Sequence, residues 1–287
     1  VLGLELTATP LVAGKGGRQE KFRNVVYEYP LSAAIEAGYT RTPYAMTRSN
    51  IESFGFGEEE LDHAMIDDGI RHHEKVKAHL TAYADKSNAR LVKPFVMIVC
   101  KDTEHAQSVN DYVTSDDFRQ GRYKGKTLLI HSKQGAAAKA SNVALLADVE
   151  RADNPIEIVI HVDMLKEGWD VNNLYTIIPL RTAASRILRE QMVGRGLRLP
   201  YGERTGDRLA DMVMLTAHDN FAALVREAQS GESIFCRGNL IEADKLPDEK
   251  QSPQQIPLIQ PELEDLSEAH RKLGIWQETD ETRKVIQ

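Results

Sequence analysis

Short, nearly continuous apolar runs recur at 95–100, 127–131, 156–162, 174–180 and 212–216, and they restrict the fold more than any other feature. Each is strand-length with little polar character, so a strand made from it must be covered on both sides. Helical spacing follows the runs at about 103–113, 140–149, 184–197 and 220–229. Strands alternating with helices predict an α/β fold, a parallel sheet with helices on both faces. In such sheets ligands collect beyond the C-terminal ends of the strands.

A chain of 287 residues, 41% hydrophobic and 28% charged, has the material for such a core in one large or two modest domains. No apolar run approaches the roughly 18 residues of a membrane span, and no basic-then-apolar signal opens the chain. No membrane partner is therefore expected, and a cytoplasmic setting is. Cys100 and Cys236 are too few and too far apart for a disulfide framework or a zinc site, and Cys100 is expected to be a buried thiol. The net charge of -7 argues mildly against a nucleic-acid partner, but the distribution matters more than the sum. Seven arginines stand against three acids between 181 and 208, whereas 52–74 holds eight acids and one arginine. A cleft can be locally positive on an acidic protein.

Within the arginine-rich stretch, Gln191-Met192-Val193-Gly194-Arg195-Gly196-Leu197-Arg198 fits Q-x-x-G-R-x-x-R. On a helix that spacing puts Arg195 and Arg198 on one face, and the glycines let backbone come close to a ligand. Two planar forks suit a polyphosphate better than a single carboxylate, because each holds phosphate oxygens bidentately. Upstream, Glu167-Gly168-Trp169-Asp170 lies just past the run at 156–162, where the sheet rule places a ligand. Gly168 permits close backbone approach to a ligand there. Leu6-Thr7-Ala8-Thr9-Pro10 opens the chain.

In this order the three elements resemble motifs III, V and VI of superfamily 2 helicases and translocases. The wording at 27–44 (YEYPLSAAIEAGYTRTPY), 164–181 (MLKEGWDVNNLYTIIPLR) and 185–200 (SRILREQMVGRGLRLP) resembles the Res subunit of type III restriction enzymes. The resemblance runs from residue 1 to about 230. It implies a RecA-like sheet, the second of two motor domains that hydrolyse ATP in the cleft between them. By position in the motifs, Arg195 and Arg198 would be arginine fingers and Gln191 a nucleotide-contacting or coupling residue. Gly168, Asp170, Gly194 and Glu167 would border the nucleotide, and Thr7 and Thr9 would couple its cleft to the DNA track. Lys101, where motif IV belongs, and His131 and Ser132 after the next strand would touch the nucleic-acid backbone. The resemblance further implies Mg2+ held by the first motor domain, duplex DNA as track and a methyltransferase (Mod) subunit as partner. Two alternatives stay open: a superfamily 2 DNA or RNA helicase of a repair or other defence system, and a non-hydrolysing nucleic-acid-binding module.

The expected organisation has three parts. Residues 1–23 would end the first motor domain and form a linker. Residues 24–235 would be the second, with a helical insertion at about 52–90 placed before the first strand of the sheet. Residues 236–287 would be a linker, Pro- and Gln-rich past about 246, entering a further region. The chain starts with Val1 inside motif III, so it reads as a piece of a longer protein. It holds no phosphate loop, no acidic Mg2+-binding motif and no nuclease motif, and is expected to be inactive alone.

Three signals are declined. Gly121-Arg122-Tyr123-Lys124-Gly125-Lys126-Thr127 is one residue short of a phosphate loop and precedes a strand instead of following one. His63, His72 and His73 lie among acids on a charged helix pattern without a metal-ligand set, which reads as a solvated face. Asp248-Glu249-Lys250 formally ends a nuclease motif but sits in a Pro/Gln-rich stretch with no strand around it.

Overall fold

The computed structural model describes residues 11–13, 19–21, 23–29, 31–48, 57–131, 135–162, 171–180, 193–216 and 240–243. The chain divides into two units, Val1–Leu246 and Pro247–Gln287, and every described residue belongs to the first. Strands β1 (Leu11–Ala13) and β2 (Gln19–Lys21) pair antiparallel by themselves, within the stretch expected to be a linker. The main sheet contains β3 (Thr42–Thr47), β4 (Phe95–Val99), β5 (Thr127–Ile130), β6 (Ile158–His161), β7 (Leu174–Pro179), β8 (Met212–Thr216) and β9 (Leu240–Glu242). Its seven strands run in the order β5-β6-β4-β7-β8-β3-β9, and every pairing is parallel.

The apolar runs explain that sheet. Along β4, Phe95, Met97 and Val99 enter one core with Leu128, Val159, Leu146, Val193 and Leu197. Val96, Ile98 and Cys100 enter another with Ile158, Ile160, Met65, Ile70 and Val109. The split follows the two-residue period of a strand, and both faces are dry, as near-continuous apolar runs require. One face carries α1 (Leu31–Glu36), α4 (Ala136–Ala147) and the helical turn at 193–196. The other carries α2 (Glu58–Ser87) and α3 (Thr103–Val113). Pairing of Phe95 with Leu174 and Val96 with Thr176 leaves Tyr175 as an extra residue in β7, a bulge that shifts the alternation there. Cys100 is a buried free thiol, and burial pushes its pKa up to about 12.

Two expectations need correction. The helix at 58–87 does not precede the sheet: β3 comes first, so α2 is the connection from β3 to β4. β3 begins Thr42-Pro43, and a proline inside a run argues against a strand. Here Thr42 donates its N–H to Asp211 in the approach to β8, so position 43 faces the opposite side, where β9 pairs only from Ala45 onward. The missing N–H therefore costs no ladder bond. Second, α2 does not present a solvated histidine face: Asp62, Asp68, His72 and His73 are all buried. Distant segments supply partners to the two acids. Arg48 grips Asp68 through two bonds of 2.6 and 2.8 Å, and His105 pairs with Asp62 at 2.8 Å. His63 stacks on Tyr112 with ring centroids 3.7 Å apart.

α2 is set close to the sheet at Gly69, where a Cβ would meet Ile178 Cδ1 at 2.5 Å. Three acids in its first turn suit the helix dipole, Glu60 reaches back to the Gly57 N–H at 3.0 Å, and Asn88 closes it in the left-handed conformation.

Candidate functional site

The turn at 193–196 shows why the Q-x-x-G-R-x-x-R residues fold as they do. Val193 and Leu197, four apart, are buried in the sheet core, while Gly194 and Arg198 are exposed and Arg195 is half-buried. Burial lowers the Arg195 pKa from its ordinary value. The apolar pair anchors the turn, and Arg198 is the more exposed of the two arginines. Gly196 makes the anchor possible: a Cβ there would lie 2.5 Å from Val213 Cγ2 and 3.5 Å from the Leu174 carbonyl oxygen. Gly194 differs, because its Cβ position has nothing within 4 Å among the described residues. Close approach to the sheet is therefore the task of Gly196, and Gly194 leaves the surface beside Arg195 low.

Sequence reading missed Arg41, the residue that ties this turn to the sheet. Its backbone N–H donates to the Leu197 carbonyl at 2.8 Å. Its guanidinium is fully buried, donating to the Leu174 carbonyl at 2.5 Å and the Met212 carbonyl at 3.3 Å, and lies 4.4 Å from the centre of the Tyr175 ring. Arg204, from the loop after the turn, donates to the Thr40 and Ile35 carbonyls at 2.8 to 2.9 Å and holds α1 alongside. The only sequence signal was that Arg41 lies inside the 27–44 stretch.

The other expected positions fall elsewhere. Leu174 and Met212 open β7 and β8, so the arginine turn sits at the N-terminal edge of the sheet. Lys101 and His131 follow β4 and β5 at the C-terminal edge. A strand of five residues separates the two edges by about 15 Å. Lys101 pairs with Glu58 at 2.5 Å, which raises its pKa, with Asp62 and Asp102 nearby. Asp102 caps α3 by accepting the His105 N–H at 2.8 Å. Thr7, Thr9, Ser132, Glu167, Gly168, Asp170 and Gln191 lie outside the described residues.

One group has metal-ligand spacing among the described residues: His73, Glu74 and Glu157. Its chemistry does not fit a cation. Glu157 is already held by Lys77 at 2.6 Å and Lys126 at 2.8 Å, and Glu74 accepts from the Tyr123 hydroxyl at 2.5 Å. Burial alone would raise the Glu157 pKa, but His73, Lys126 and Lys77 hold it well below the carboxylate range. The 121–127 segment leads into β5, and Tyr123 within it is buried, so it is no phosphate loop.

No protein-family model matches the chain. It is similar to the Res subunit of the type III restriction-modification enzyme EcoPI of Escherichia phage P1, 45% identical over 51 residues, 18% of this chain and 5% of that subunit. It is also similar to the probable HindVIP Res subunit of Haemophilus influenzae, 33% identical over 75 residues, 24% of this chain and 15% of that protein. The matched segments thus span only a small part of these relatives. Among solved structures, a fragment of a putative type I restriction enzyme HsdR subunit from Vibrio vulnificus aligns with a TM-score of 0.47 and 18% identity, over 77% of this chain and 39% of that one. The motif wording and the two Res-subunit matches agree: over these segments the chain is similar to Res subunits of type III restriction enzymes, and its sheet is parallel and covered on both faces.

Proposed function

We propose that this chain is the second motor domain of an ATP-dependent DNA translocase of the type III restriction class, and that Arg195 and Arg198 act on the phosphates of ATP. One observation carries the reading: the turn buries Val193 and Leu197 and leaves Arg195 half-buried and Arg198 exposed on its other side.

Phosphoryl transfer passes through a loose transition state with charge spread over the phosphate oxygens, so it needs positive charge and positioning more than covalent help. Arg195 and Arg198 supply fixed charge, and the half-buried setting of Arg195 strengthens it by thinning the water around it. Such a finger is worth roughly 10^3- to 10^5-fold in rate. Bound Mg2+ would neutralise phosphate charge. In this reading its ligands belong to a first motor domain; the His73, Glu74 and Glu157 group is engaged by Lys77 and Lys126 instead. Gln191, Glu167, Gly168 and Asp170 complete the nucleotide border in this reading, and Thr7 and Thr9 couple it to the track. At the opposite edge His131 and Lys101 meet the DNA backbone, Lys101 exchanging Glu58 for a phosphate, and Ser132 joins them in this reading. A Mod-type methyltransferase subunit supplies site recognition.

The test is nucleotide chemistry in a protein that joins this chain to a phosphate-loop domain. Arg195→Ala is expected to bind ATP while losing about 10^3-fold or more in turnover. Turnover that survives the substitution would remove Arg195 from the site.

A further inference from the structure

A buried guanidinium is an expensive way to fill space, because taking a charge out of water costs several kcal/mol and a packed apolar side chain often serves stability as well. Arg41 is fully buried, and its acceptors are backbone carbonyls, Leu174 and Met212, with Tyr175 beneath the guanidinium plane. Its Nε has no acceptor among the described residues. Burial lowers its pKa to about 10, with Tyr175 and Asp211 opposing, so it stays charged at neutral pH. What Arg41 obtains for that charge is geometry. One residue joins the first residue of β7, the first residue of β8 and the Leu197 carbonyl that ends the arginine turn. The same Leu174 carbonyl limits Gly196 from the other side, at 3.5 Å from its Cβ position. The guanidinium supplies the two strand-end bonds, to Leu174 and Met212, which a planar fork makes at once and a flexible ammonium only one at a time, while the backbone N–H of the same residue holds Leu197.

We propose that Arg41 is a positioning residue for the reaction: it sets the angle and height at which Arg195 and Arg198 leave the sheet, without touching the nucleotide itself. The inference rests on the reading of those arginines as phosphate ligands. Charge that must meet a transition state within a fraction of an ångström is sensitive to its support, and a 1 Å misplacement costs on the order of 10^2-fold. Ground-state binding tolerates such a shift better, so the loss falls on kcat more than on KM.

The experiment measures ATP turnover and thermal stability in the natural protein that carries this chain, for Arg41→Met, Arg41→Lys, Arg195→Ala and Val96→Ala. Val96 is a buried residue on the α2 face, away from the turn, and serves as the stability control. Well below its Tm, Arg41→Met should lose roughly 10- to 100-fold in kcat with KM for ATP changed by less than about three-fold. Arg41→Lys should recover part of the loss, and Val96→Ala should lose stability with kcat kept. Should Arg41→Met fail to fold, Arg41→Lys carries the test, with kcat reduced and KM kept. Full kcat in a folded Arg41 variant, beside a collapsed Arg195→Ala, overturns the positioning role alone. Unchanged turnover in Arg195→Ala overturns the nucleotide reading and the positioning role with it.

Discussion

Gly194 and Gly196 are two residues apart in one motif, yet alanine should act on them in opposite ways. At Gly196 the new Cβ would stand 2.5 Å from Val213 Cγ2 and 3.3 Å from Val213 Cβ. An ordinary carbon contact needs about 3.5 Å, so the turn or Val213 must retreat by about 1 Å. Overpacking of this kind costs roughly 1–3 kcal/mol, offset by up to about 1 kcal/mol of helix propensity if the residue still behaves as helical. Net destabilisation of about 1–2 kcal/mol is expected in denaturant unfolding, with turnover reduced beyond that as Arg195 and Arg198 move. At Gly194 no described atom lies within 4 Å of the Cβ position, so alanine should leave stability within about 0.5 kcal/mol or raise it slightly. Val213→Ala should then relieve Gly196→Ala, giving a favourable coupling of about 1 kcal/mol in a double-mutant cycle. Equal stability of the two alanine variants, or no relief by Val213→Ala, would refute the packing argument.

Four further outcomes follow from the same geometry. Gly69→Ala should destabilise by about 1–3 kcal/mol in chemical unfolding, because α2 would be pushed off Ile178, and Ile178→Val should recover part of that. Burial, then His73 and Lys75, lower the His72 pKa from 6.5 to about 3, so below pH 6.5 the unfolded chain takes up a proton that the folded chain refuses. Stability should therefore fall by up to about 1.4 kcal/mol per unit as pH drops below that value, and His72→Leu should flatten the slope between pH 6.5 and 5. Glu157 acts lower: its depressed pKa gives stability present above the ordinary carboxylate value and lost progressively as pH falls below it, so Glu157→Gln should leave the slope between pH 6.5 and 5 nearly unchanged while lowering stability there. If Lys101 meets a DNA phosphate, Lys101→Met should reduce the slope of log affinity against log salt by about 0.9; an unchanged slope would leave Lys101 as the partner of Glu58 alone.

Apolar continuity was the legible part of this fold. The run at 212–216 is β8 to the residue, and the helix read at 103–113 is α3, because continuous apolar strands and a capped amphipathic helix state themselves locally. β3 was hidden by Pro43, whose cost disappears only once β9 is known to pair further along. The buried face of α2 was hidden by its polarity. Asp68 needs Arg48, His79 needs Asp207 at 2.8 Å, and Lys77 needs Glu157; each partner lies in another segment, and nothing in the local pattern announces it. The arginine pair was legible because i and i+3 spacing sets a common face before any tertiary structure exists. Arg41 was not, since its work is done through backbone carbonyls that any sequence would supply. That the arginines lie at one edge of the sheet, with Lys101 and His131 at the other, also depends on strand order.

The account turns on whether Arg195 and Arg198 act on ATP under the control of DNA. The direct measurement is ATP turnover by the natural protein carrying this chain, with and without duplex DNA, for the wild type and for Arg195→Ala/Arg198→Ala, with ATP binding measured alongside. DNA-stimulated turnover that falls by about 10^3-fold or more in the double variant while ATP still binds is the predicted result. Turnover unchanged by the double substitution, or absent from both proteins, would contradict it and favour a nucleic-acid-binding module that does not hydrolyse ATP.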